Sequence, residues 1–180
     1  DLKNDKLFSF PLIYWVTDTK VKTLPKKIKQ YINDGGLLLI DCKLNDDEII
    51  IDKCLERFET LLESNFPGNL EILDKSHAIA KSFYLLQEFP GRRNEPVFFL
   101  KSNSVKFDNA SSVIFGINDW AGAWAKKNKE EFLFPILENN LNQRNTSFRF
   151  GLNLLIYSLT GNYKTDQVHV PEILKRMEKK

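Results

Sequence analysis

The chain has 180 residues and a mass of 21.0 kDa, with 42% apolar, 28% charged and 12% aromatic residues. That is the composition of a globular domain; it excludes a disordered, collagen-like or disulfide-dense chain. Twenty-six Lys and Arg against twenty-four Asp and Glu leave a net charge of +2, so no broad positive field argues for nucleic acid as a partner.

The chain opens DLKNDKLFSFPLIYW, with neither Met nor a signal-type apolar stretch, which suggests a domain cut from a longer protein. Residues 1–180 are expected to form one α/β domain. Leu12 to Val16 reads as a buried strand ending at Thr17-Asp18. Pro25 opens a helix running to about Asn33, with Ile28, Tyr31 and Ile32 inward and Gly35-Gly36 as its stop. Leu37 to Ile40 is continuously apolar, as in a strand buried on both faces.

Asn45-Asp46-Asp47-Glu48 is an acidic helix start, and the helix continues to Ser64 with Ile51, Leu55, Phe58 and Leu62 on one stripe. Strands follow at Leu70 to Leu73, Val97 to Leu100 and Ser112 to Ile117, with Asp108-Asn109 a turn before the last. Ser76 to Gln87 is ambiguous, and Phe89 to Pro96 is a loop. Glu130 to Asn139 reads as a helix despite Pro135. Thr146 to Leu159 is the clearest helix, with Phe148, Leu152, Leu155 and Leu159 as its apolar stripe and Arg149, Asn153 and Tyr157 as a polar one. A last short helix starts near Pro171. The alternation of strand and helix predicts a three-layer domain: a mostly parallel sheet with helices on both faces.

Cys42 and Cys54 have no CxxC spacing and no neighbouring His. They read as small buried side chains, not as a zinc site, a disulfide framework or a reactive thiol. Two unpaired thiols favour a reducing compartment, the cytoplasmic side. No apolar run approaches the ~20 residues of a membrane span, so direct membrane insertion by this segment is not expected.

Ligands of open α/β sheets sit beyond the carboxyl ends of the strands. Asp18, Asp41 and the pair Asn118-Asp119 fall at such ends. Converging carboxylates there bind polar ligands or work as an acid/base pair, whereas single ones cap helices and turns. The segment NDWAGAWA sets Trp120 and Trp124 beside Asn118 and Asp119, which suits either a stacking platform or plain core. Arg149 could clamp an anion or pair with a strand-end Asp. These residues are the candidate ligand site, with Asp41 and Asp119 as the alternative catalytic pair. Neither His77 nor His169 lies in a metal or triad motif, and the Walker, GxGxxG and GxSxG patterns are absent. No cofactor and no metal are expected.

NDWAGAWA, the helix FRFGLNLLIYSLTG and NYKTDQVHVPEIL resemble the bacterial family catalogued as domain of unknown function 4159, as do YINDGGLLLID and SHAIAKSFYLL upstream. The resemblance implies a fold similar to class I glutamine amidotransferases, a flavodoxin-like parallel sheet between helices. It implies the C-terminal part of a larger membrane-anchored bacterial protein, encoded near a MoxR-type ATPase and von Willebrand A-like proteins. No activity comes with it. Cys42 lacks an elbow's glycines and a His-x-Glu partner, and Asp41 is the residue matching the family's strand end. Ala78 replaces the family's Pro, and Asn145 stands where a Glu follows Arg144, so a role needing a carboxylate on that helix does not carry over. The expected function is non-catalytic binding of a ligand or of the parent's other domains; the alternatives are a hydrolase of a sugar, peptide or amide, and an assembly module.

Overall fold

A computed structural model describes residues 6–43, 49–102, 111–137 and 142–160. The acidic helix start at 45–48, the turn at 108–109 and the helix from 171 lie outside the described residues.

Strand β1 (Leu12–Thr17) leads through α1 (Lys26–Asn33) to β2 (Leu37–Cys42), and α2 (Ile49–Glu63) leads on to β3 (Gly68–Ile72). Then come β4 (Phe98–Ser102), β5 (Val113–Gly116), the single-turn helix α3 (Trp120–Trp124) and the long helix α4 (Gln143–Leu159). The sheet order is β1-β2-β5-β4-β3. β1, β2 and β5 are parallel, and β4 runs antiparallel to both β5 and β3, so four of the five strands share one direction. The expected α/β architecture with a mostly parallel sheet is what the chain adopts.

α1 stops where a carboxyl-terminal glycine motif closes it. Gly35 takes φ 92°, its N–H donates to Ile32 O and the Gly36 N–H to Tyr31 O. Only glycine adopts that φ without strain, and the two bonds satisfy carbonyls the helix end would orphan. Every residue of β2 is buried, and alternate side chains enter two different cores. Leu38, Ile40 and Cys42 pack with Ile28, Tyr31 and Ile32 of α1 and Phe58 and Leu62 of α2. Leu37 and Leu39 face the other side, toward Trp120, Phe150 and Leu154.

Three expectations need correction. Cys42 and Cys54 are joined in a disulfide, with Cα atoms 6.5 Å apart. Their spacing of twelve residues conceals that β2 and α2 bring both side chains into one core. The premise of two unpaired thiols, on which a reducing compartment rested, is thereby removed.

The second concerns Glu130 to Asn139, whose described part to Leu137 is not helical. Asn128 Oδ1 accepts the N–H groups of Glu130 and Glu131, at 2.9 and 2.8 Å, and Lys126 bridges to Phe132. This side-chain turn outcompetes the helix, and Pro135 offers no N–H to propagate one.

The third is the orientation of α4. Phe148, Leu152, Leu155 and Leu159 are 41, 36, 42 and 61% exposed, while Ser147, Phe150, Asn153 and Leu154 are fully buried. Hydrogen bonding decides the rotation. Asn153 accepts from Tyr84 N at 2.8 Å and donates to Ile79 O and Tyr84 O at 2.7 and 2.8 Å. Tyr157 accepts from Ser111 N at 3.0 Å. These polar groups saturate loop backbone that would otherwise be buried unpaired, and each such loss costs about 1–3 kcal/mol. The ambiguous stretch from Ser76 is one such loop: a 3-10 turn, Ala78–Lys81, capped by His77 Nδ1 accepting from Ile79 N. Because Nδ1 accepts, the ring proton sits on Nε2, which faces Ser111 Oγ at 2.9 Å.

Candidate functional site

α2 leaves the end of β2 toward one core, whereas α3 leaves the end of the neighbouring β5 toward the other. Diverging connections of this kind open a crevice at the carboxyl edge of a sheet. A cavity of about 440 Å³ lies there, bordered by Val16 of β1, Asp41 to Lys43 at the end of β2, Ile117 and Asp119 after β5, and Ala121 of α3. Arg92, Arg93, Phe134 and Leu137 close its far side.

Asp41 is 2% exposed and turns inward from this edge. Its Oδ2 accepts from Tyr14 Oη at 2.5 Å and Trp120 N at 2.9 Å, and its Oδ1 from Asp119 N at 3.1 Å. Burial pushes its carboxyl up to about 6, against the pull of those three donors. Tyr14 is driven far above the ordinary phenol range, first by burial and then by the charge of Asp41, and it stays protonated. Tyr14 Oη also accepts from Ala121 N at 3.1 Å. One buried carboxylate and one phenol thus hold the first turn of α3 against β1 and β2.

Asp119 caps that turn from the left-handed region, at φ 51°, the one described non-glycine residue with positive φ. Its Oδ1 accepts from Gly122 N at 3.1 Å, and its Oδ2 pairs with Arg92 Nη1 at 2.8 Å. A Cβ on Gly122 would collide with that carboxylate and with Arg92 Cδ, so glycine is required for the ion pair. Arg92 Nε donates to Pro135 O at 2.9 Å, and its guanidinium lies 5.1 Å from the Phe134 ring. The half-buried Arg92–Asp119 pair therefore faces the cavity next to the apolar wall.

The remaining candidate residues are placed elsewhere. Asn118 is buried and clamps Glu95, accepting from its N–H at 2.7 Å and donating to its carbonyl at 3.0 Å. Trp120 is fully buried, its Nε1 donating to Phe89 O at 3.0 Å, so its ring is core and offers no stacking face. Trp124 is half-buried between Tyr14, at 6.0 Å, and Ser147 O, to which its Nε1 donates. Asp18 closes an exposed turn by accepting from Lys20 N, and Arg149 stacks on Tyr84 at 5.2 Å. Neither Asp18 nor Arg149 borders the cavity.

Four residues outside the sequence-based selection build this site: Tyr14, Arg92, Gln143 and Arg144. Gln143 Nε2 donates to Gly91 O and Arg92 O at 3.1 and 3.2 Å. Arg144 donates to Ala123 O and Phe134 O at 2.5 and 2.7 Å and lies 3.9 Å from the Phe132 ring. A phenol within the apolar run LIYWV was the legible signal for Tyr14; Arg92 in its loop and Arg144 at the start of α4 carried none. Among the described residues, no three His, Cys, Asp or Glu side chains gather as a metal-binding group, and no helix is long and apolar enough to cross a membrane.

The family model for "Domain of unknown function (DUF4159)" matches residues 1–159, and the chain belongs to that family. Among curated proteins none matches the chain.

Proposed function

We propose that this domain binds a small ligand in the cavity at the carboxyl ends of β1, β2 and β5, and serves as a recognition module with no chemistry of its own there. The carrying observation is the meeting of an Arg92–Asp119 pair with an apolar wall in about 440 Å³, the size and make-up of small-molecule pockets. Val16, Phe134 and Leu137 are 48, 42 and 48% exposed, so an apolar ligand body would cover them, while its polar end would meet the ion pair.

Binding ranks above hydrolysis because both oxygens of Asp41 are committed inward to three donors. With three of its four or so lone-pair positions held by the protein and only 2% of the residue exposed, Asp41 is poorly placed to exchange a proton with substrate, which leaves Asp119 without an acid/base partner. The parallel β1-β2-β5 core supports the likeness to the class I glutamine amidotransferase-like, flavodoxin-like folds. The cysteine at the end of β2 is tied to Cys54 and is no nucleophile. On the family resemblance, the domain works within a larger bacterial inner-membrane protein, whose other domains, a MoxR-type ATPase or von Willebrand A-like proteins are its partners. The disulfide favours the oxidising, periplasmic side of that membrane.

The test is ligand-observed NMR with a fragment set of aromatic and aliphatic acids, amides and sugars. Fragments should bind the wild type and be lost when Ala121→Trp fills the cavity, with near-UV circular dichroism confirming that the variant is folded. No binding to the wild type, or binding indifferent to the plug, overturns the reading.

A further inference from the structure

The cavity at the carboxyl edge is bordered by charges of both signs, and the bonds each already makes tell them apart. Asp41 commits its oxygens to Tyr14 and to the backbone of Asp119 and Trp120. Asp119 commits its own to Gly122 N and Arg92 Nη1. Both negative charges are thus answered within the protein. The positive ones are answered only in part. Arg92 donates from Nε to Pro135 O and from Nη1 to Asp119, and the two N–H groups on its Nη2 find no acceptor among the described residues. Its side chain is only 20% exposed, so water covers little of it. Lys43, exposed just past β2, pairs with no carboxylate among the described residues. Arg144 gives its donors to the carbonyls of Ala123 and Phe134, not to an acid. Burial, and then the charge of Arg92, hold its guanidinium below the ordinary range, a repulsion that no carboxylate beside it relieves.

We propose, resting on the reading of this cavity as a ligand site, that its ligand is a carboxylate on an apolar body, a monoanion whose head group meets Arg92 Nη2 and Lys43 while the body covers Val16, Phe134 and Leu137. A single negative charge fits better than a double one, because the Asp119 side chain, 43% exposed, stands on the same wall. A neutral amide or sugar can accept a hydrogen bond from Nη2 but leaves the charge unbalanced, and charge-assisted bonds are about twice as strong as neutral ones. An amine is repelled by Lys43 and by both arginines.

Three probes that differ only in the head group separate the ligand class from the site. They are 4-phenylbutyrate, 4-phenylbutyramide and 4-phenylbutylamine, titrated against the full chain at pH 7.5 by ligand-observed NMR. The acid should bind about tenfold more tightly than the amide, and the amine should not bind. Raising the ionic strength from about 0.02 to about 0.5 M should weaken the acid and leave the amide unchanged. Lys43→Gln, at an exposed position, should weaken the acid about twofold to fivefold and spare the amide. Equal binding of acid and amide, both lost in Ala121→Trp, overturns the anionic class while the cavity stands as a site. Acid binding that survives Ala121→Trp overturns it too, since the charge is then recognised elsewhere. Binding by none of the three also overturns it, and the cavity reading falls with it only if the wider fragment set fails as well.

Discussion

Tyr14→Phe probes the link between β1, β2 and α3 while leaving the ring and its contact with Trp124 in place. The substitution removes a 2.5 Å hydrogen bond to a carboxylate that is 2% exposed. Hydrogen bonds to charged groups contribute about 1.5–3 kcal/mol, and neutral ones about 1 kcal/mol. The Ala121 N–H, in a partly buried residue, loses its acceptor too, and that loss is the same whatever the charge on Asp41. The expected loss is therefore about 2.5 kcal/mol where Asp41 is ionised and about 1 kcal/mol where it is protonated. The difference corresponds to a further rise of roughly one pH unit in the Asp41 carboxyl.

The sign follows from proton linkage. The folded carboxyl titrates at about 6, above its ordinary range, so the folded state holds the proton more tightly than the unfolded chain. The contribution of Asp41 is thus most favourable at acid pH and declines as pH rises through about 6. Tyr14→Phe steepens that decline. Urea unfolding at pH 4.5, 6 and 8, with the slope m checked for constancy, reads the effect directly. A destabilisation equal at pH 4.5 and pH 8 would refute the assignment of the Tyr14 bond to the ionised carboxylate.

Asn153→Ala strips three hydrogen bonds from a fully buried position and should cost about 3 kcal/mol or more in chemical denaturation; a loss below about 1 kcal/mol would mean that the loop at Tyr84 is not held by α4. Gly91→Ala and Gly122→Ala separate backbone from side-chain crowding. The first sets a Cβ against the backbone of Asn118 and should lower stability by several kcal/mol, with a lower denaturant midpoint; the second displaces the Asp119 carboxylate from both Arg92 and its cap on α3 and should cost less, about 1 kcal/mol, while weakening fragment binding. Equal midpoints for the two variants would contradict this distinction. The unreduced, denatured protein should take up no alkylating reagent at Cys42 and Cys54, and the reduced protein two equivalents by mass. Cys54→Ser should lower stability by about 3 kcal/mol, the scale for closing a short loop.

The strands and the first helices were legible because each carries its own local signal. The apolar run at Leu37 to Ile40 and the Gly35-Gly36 stop need no knowledge of distant residues. Asp41 and Asp119 were legible for a related reason: strand ends in a parallel sheet point to one edge whatever the details. α4 was misjudged because counting Phe and Leu favours the stripe at Phe148, whereas its rotation is set by Asn153, Gln143 and Tyr157 finding loop carbonyls and amides. Hydrogen-bond demand from loops 46 or more residues away leaves no periodic trace in the helix itself. The cysteine pair was hidden similarly, since contact between a strand end and the helix after it depends on how that helix folds back over the sheet.

The bond from Asp119 N to Asp41 Oδ1 joins groups 78 residues apart in the chain. β1, α1 and β2 pair locally and need nothing downstream for their ladder, yet they carry a carboxylate whose two backbone donors lie beyond β5. In β1, α1 and β2 alone the carboxylate would be hydrated by water; it is Trp120 and α3 that bury it, and the N–H groups of Asp119 and Trp120 take the place of that water. Removing either donor would leave a buried charge short of a partner. A single acidic side chain thus ties the first two strands to the segment after β5, at the rim of the cavity.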